Sequence, residues 1–197
     1  MPRPNQSDER RREYLPVIAR TFAELGYRRA TTAELAERCS VRENILYRLW
    51  PDKKAMFIAA IAYVYDLSVQ VWTKLLTESD GQTSVAGRLL DYEAAHHGEF
   101  GLYRIVFAGL SETDDPEIRD ALAEMYRRYH CFIRRQIGTH RDQEGIAGAP
   151  EALLAAWAVI GLGTVANIGR ELGLLTDRKR RRLIGKIGRS LLGDQSV

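Results

Sequence analysis

Arg42, Glu43, Asn44, Tyr47 and Arg48 lie within one short span and on one side of a helical repeat. Their side chains match the polar edges of nucleic-acid bases. An arginine fork fits guanine O6 and N7, an asparagine amide fits adenine, and a glutamate accepts from cytosine N4. Hydroxyls and ammonium groups hold phosphates and fix register without reading sequence. Thr31, Thr32, Tyr47 and Lys53 are the candidates for that second task. The chemistry these types support is non-covalent contact with double-stranded DNA.

Short helices must present those groups. Thr31 stands three residues before Glu34, the spacing of a capping box, and Leu35 and Ala36 follow as an inward-facing pair. Cys39-Ser40-Val41 breaks that helix, and Ser40 with Glu43 reads as a second box and a second start. Ile45, Leu46, Leu49 and Trp50 recur at helical spacing behind the polar face. Pro51-Asp52 ends the second helix, and Asp52 can cap a third that opens with Lys53-Lys54. A second helix of this size fits the major groove as the reading element of a helix-turn-helix.

The order Thr31-Thr32, Leu35-Ala36, Val41, Leu46-Tyr47, Trp50, Lys53 and Met56 resembles the tetracycline-repressor (TetR) family of bacterial transcriptional regulators. The run Leu15 to Tyr27 is similar to that family's first helix, with Gly26 at its usual end. The resemblance covers Tyr14 to Ile61. It departs at Ser40, where the family has glycine, at Arg42, where it has a small cap, and at Ile45, commonly threonine. Arg42 reads either as a phosphate or guanine contact or as a solvated side chain. The resemblance implies an all-α chain that binds inducers among its fifth to seventh helices. It also implies a homodimer whose last two helices form a two-fold four-helix interface.

Composition agrees with a folded chain and narrows the function. Of 197 residues, 45% are apolar, enough for a real core. The net charge is only +3, so nucleic-acid binding must come from local basic surface. Cys39 and Cys131 are far apart, without metal spacing, and read as reduced thiols. Cys39 is expected on the buried side of the helix-turn-helix. No apolar run is expected to reach a membrane span. His96-His97 point about 100° apart on a helix and lack a spaced carboxylate or cysteine, so no metal and no cofactor is expected. No H-E-x-x-H, G-x-S-x-G or phosphate-loop pattern occurs, which argues against an enzyme.

The pattern predicts about nine helices and no strand. The polar start, Met1 to Glu13, carries Arg3, Arg10, Arg11 and Arg12 and reads as a DNA-reaching arm or a solvated terminus. Pro16 places the first helix start near Arg12. A fourth helix runs from Asp52 to about Leu76, a fifth over Val85 to His97, and a sixth, buried, over Leu102 to Leu110. A seventh starts at Pro116 behind Asp115 and reaches about His140. An eighth runs from Pro150 to about Leu172, and a ninth, capped by Asp177, ends near Leu192.

The chain is thereby divided into an arm and helix-turn-helix domain, 1–52, and a ligand-binding and dimerisation domain, 53–197. Ala155, Ala158, Gly161, Gly163 and Gly169 point to close helix packing, between two copies or within one. Tyr92, His96, Tyr103, Phe107, Tyr126, Tyr129 and His130 are the candidate ligand-pocket residues; core packing is the other reading of each. The basic run Arg178 to Arg182 is expected to be a solvated face.

The function expected is a cytoplasmic, sequence-specific DNA-binding regulator. It acts as a ligand-responsive repressor that releases a palindromic operator on binding a small apolar or aromatic molecule. The alternative is a dimeric small-molecule-binding protein with a weakened DNA-binding head.

Overall fold

A computed structural model describes residues 6–77 and 84–193. These residues form nine helices and no strand. They are α1 (Gln6–Arg29), α2 (Thr32–Arg38), α3 (Glu43–Leu49), α4 (Lys53–Thr77) and α5 (Val85–His96). There follow α6 (Tyr103–Leu110), α7 (Pro116–Glu144), α8 (Ala152–Glu171) and α9 (Asp177–Leu192). The expected all-α class is observed. The expected loop at Ser79 to Ser84 lies outside the described residues except for Ser84, and so does the arm's Arg3.

Contacts divide the chain into two compact units: one within Met1–Leu67 and Phe100–Met125, the other within Ser68–Glu99 and Tyr126–Val197. In the first unit α1 packs against α2, α3 and α6. Ile18, Phe22, Leu35, Leu46, Met56, Phe57 and Ile61 are fully buried there, joined by Ile105 and Ile118. The rings of Phe22 and Phe57 meet edge to face at 4.9 Å. Ion pairs surround this core. Arg28 reaches Glu112 at 2.7 Å, and Lys54 reaches Asp115 at 3.2 Å and Glu117 at 2.5 Å. Glu117 above all, with Asp115, pushes the Lys54 ammonium up to about 12.

α1 begins at Gln6, not near Arg12, so Pro16 sits inside the helix. Pro16 can donate no hydrogen bond to the preceding turn; burial of Ile18, Ala19 and Phe22 directly after it fixes the chain regardless. Gly26 (φ 74°, ψ 166°) interrupts the helix where the sequence ended it. Asp52 caps α4 as expected, its Oδ1 accepting from the Ala55 amide at 2.7 Å.

In the second unit α9 packs against α5 and α8. The core joins Ala86, Leu90, Ile137, Ala155, Ala156, Leu162, Ala166, Ile184 and Leu192. Several small residues are explained within the single chain. A Cβ on Gly163 would lie 2.9 Å from the His97 ring, and one on Gly169 would strike Leu175. Gly161 faces open space instead. Thr176, not Asp177, caps α9: its hydroxyl accepts from the Lys179 amide at 3.4 Å. Asp177 lies one residue inside the helix and pairs with Arg180 at 2.7 Å and Arg181 at 3.1 Å.

Contrary to the sequence expectation, α4 and α8 are long and apolar enough to cross a membrane by length and composition. Packing accounts for much of that apolar character. α4 buries Met56, Phe57, Ala60 and Ile61 in the first unit, and α8 buries Ala155, Ala156, Leu162 and Ala166 in the second.

Candidate nucleic-acid interface

Four residues, Cys39 to Arg42, separate α2 from α3, and Ser40 carries the turn at φ 56°. The left-handed region costs a non-glycine residue about 1–3 kcal/mol. The turn forms nonetheless, with the Ser40 amide donating to Glu37 O at 2.9 Å and Val41 to Ala36 O at 2.9 Å. Ser40 therefore cannot cap α3, because a cap residue needs extended backbone. Arg42 occupies that position (φ −82°, ψ 149°) and makes no side-chain cap bond.

The first capping box is half made. Thr31 Oγ1 accepts from the Glu34 amide at 3.2 Å. Glu34 does not reach back; its carboxylate accepts from Arg38 Nε at 2.6 Å. Leu46, Leu49 and Trp50 are buried behind α3, whereas Ile45 is only half-buried. Cys39 is also half-buried rather than sealed in the core, and that burial pushes its thiol up to about 11.

This backing turns the predicted face outward. Arg42, Glu43, Asn44, Tyr47 and Arg48 are all exposed, and so is Thr31. Tyr47 and Thr32 share a hydroxyl–hydroxyl hydrogen bond of 3.0 Å, which ties α3 to α2. Lys53 donates to Tyr27 O at 3.0 Å, and its ammonium lies 4.5 Å from the centre of the Tyr27 ring. Seven of the eight candidates thus lie on α2, α3 and the turn before each. Lys53 is anchored at the start of α4.

Residues 15–60 match the model of the bacterial regulatory proteins, tetR family. That stretch makes the head a TetR-family DNA-binding region. The chain is a DNA-binding transcriptional regulator. The chain is 29% identical over 150 residues to the nucleoid occlusion factor SlmA of Citrobacter koseri, covering 75% of each protein. With the SlmA of Escherichia coli O1:K1 it shares 27% over 154 residues, 77% of each. Solved structures repeat the fold. A TetR-family transcriptional regulator from Cytophaga hutchinsonii superposes with a TM-score of 0.76 at 16% identity, covering 96% of both chains. A protein from Saccharomonospora viridis, described as a transcriptional regulator in complex with choline, gives 0.75 at 20% identity, covering 91% of this chain and 95% of that one.

The candidate ligand residues are distributed over both units. Tyr103 and Phe107 pack edge to face at 5.8 Å in the first. Tyr92 and His96 stack at 4.4 Å on α5, with His96 exposed. Burial raises the Tyr126 hydroxyl above its usual value, against a hydrogen bond to Thr164. Tyr129 shares a 3.0 Å hydrogen bond with Ser68 and an edge contact with Trp72. His130 stacks on Trp157 at 4.7 Å and approaches Leu153 O at 3.0 Å.

Beside Tyr129 lies a polar chain the sequence reading passed over. Trp72 Nε1 donates to Glu93 at 2.7 Å, and His97 Nδ1 lies 2.8 Å from the other Glu93 oxygen. His97 Nε2 lies 3.1 Å from Asn167 Nδ2 and 3.0 Å from Gly163 O. Glu93, four residues before His97, is the spaced carboxylate that the sequence reading took to be missing.

Proposed function

We propose that this regulator is a homodimeric, ligand-responsive repressor that acts in the cytoplasm on a palindromic operator. The observation that carries the reading is the exposed polar face of α3 held by buried Leu46, Leu49 and Trp50. In this reading Arg42, Glu43, Asn44 and Arg48 meet base edges, and Thr31, Thr32, Tyr47 and Lys53 meet phosphates. The helix-turn-helix within 1–52 reads DNA, and 53–197 carries dimerisation and ligand response.

Dimerisation is supported by α8. Leu154, Trp157, Val165, Ile168 and Leu172 form an exposed apolar stripe at helical spacing, and Ile187 of α9 is also exposed. Two copies reading a palindrome need their α3 helices in successive major grooves, about 34–36 Å apart. The ligand would be a small apolar or aromatic molecule held among second-unit residues such as Tyr126, Tyr129 and His130. The choline complex of a structural neighbour supports a small organic ligand in this fold. Release requires the ligand to bind the non-operator conformer better than the operator-bound one.

Fluorescence anisotropy with duplexes selected by the protein from a random library tests the reading. Sequence-dependent binding that weakens steeply with salt is expected. Equal affinity for selected and random duplexes would overturn it.

A further inference from the structure

We propose that Arg11 is a positioning residue for sequence discrimination, setting the pose of α3 from α1 without itself touching DNA. Arg11 lies on α1, thirty-eight residues before the group it grips. Its Nε donates to Leu49 O at 2.9 Å and its Nη2 to the same oxygen at 2.7 Å. Leu49 ends α3, so this carbonyl belongs to the last turn, whose oxygens have no partner within the helix. The C-terminal end of a helix carries partial negative charge, which a cation stabilises. The third nitrogen, Nη1, faces Asp8 Oδ1 at 3.5 Å.

Three features turn this contact into a control on orientation. α3 has only seven residues, so a small tilt carries through its whole length. Its N-terminal side has no side-chain cap at Arg42 and is preceded by the strained Ser40 turn, so that end is weakly held. Its outward side is tied to α2 by the Thr32–Tyr47 hydroxyl pair. The Arg11 fork therefore supplies a directional hold at the C-terminal end that apolar packing of Leu46 and Leu49 does not. A lysine keeps the charge but lacks the planar pair of donors.

The inference rests on α3 being the DNA-reading helix, and the measurements separate the two. Wild type is first titrated against its selected duplex and a random duplex across salt; no preference in wild type would defeat the functional reading. Arg11→Lys and Arg11→Ala are then measured the same way. Both are expected to lose about 5–20-fold of the preference for the selected duplex, as the shared charged hydrogen bond is lost or weakened. The salt slope is expected to stay at the wild-type value. A slope shallower by about 0.9 in Arg11→Ala, with equal loss on both duplexes and wild-type behaviour in Arg11→Lys, would make Arg11 a phosphate contact and overturn the proposal. Unchanged preference in folded Arg11→Lys, or failure of Arg11→Lys to fold by circular dichroism, would also overturn it, leaving Arg11 idle or purely structural.

Discussion

The two units distribute polarity in opposite ways. The first hides Phe22, Leu46, Met56 and Phe57 and displays Arg42, Glu43, Asn44 and Arg48. The second holds a Trp72–Glu93–His97–Asn167 hydrogen-bonded chain, its two ends buried and its middle half-buried, and displays Leu154, Trp157, Val165 and Ile168. A surface that is to meet a charged polymer needs an apolar interior only to hold it still. In the proposed dimer, a unit that meets a copy of itself needs apolar groups outside. The polar groups of its hydrogen-bonded chain then pair with one another, all but Asn167 Oδ1, which is buried without a partner among the described residues at a cost of about 1–3 kcal/mol.

The contrast can be broken at several points. Phe57→Ala empties the centre of the first unit and should cost about 3–5 kcal/mol; thermal melting should show the loss, and DNA binding should disappear with the fold. Val165→Asp places a charge in the α8 stripe. Sedimentation should report a dimer dissociation constant raised at least ~30-fold, matching an interface loss of about 2 kcal/mol or more; a dimer of unchanged affinity would remove α8 from the interface. Gly163→Ala drives a methyl against a His97 ring held by Glu93, with about 1–3 kcal/mol of destabilisation expected in denaturant titration.

The smallest effect concerns Cys39. With its thiol pushed up to about 11, Cys39 should label far more slowly at pH 8 than exposed Cys131 in a thiol-reagent assay. The sign for stability follows. The unfolded thiol ionises first, so the Cys39 contribution is whole below about pH 8.5 and falls as pH rises toward 11.

The head was legible because its determinants are local. Capping residues, a helix-breaking Pro51 and a three-to-four apolar spacing act over a few positions, and the polar face follows by default. The capping reading of Ser40 failed for the same reason, whereas its place at the family's glycine turn position held. Its spacing to Glu43 suits a cap, but the turn needs a left-handed residue at that place, and the backbone demand prevails. The helix order of the second unit was equally readable. Its interior chain was not, because Trp72, Glu93 and Asn167 come from three different helices and meet only after folding. The glycines of α8 carried an ambiguous signal, since tight packing against His97 and Leu175 looks the same in sequence as a small-residue interface.

The Thr32–Tyr47 pair has a further effect. A lone exposed tyrosine samples several rotamers, and freezing one on association costs about 0.5–1.5 kcal/mol. Here the phenol is already immobilised by its neighbour before any duplex arrives. Whatever docks on this surface meets a ring whose disorder was surrendered when the chain folded, and the encounter begins with that entropy already spent.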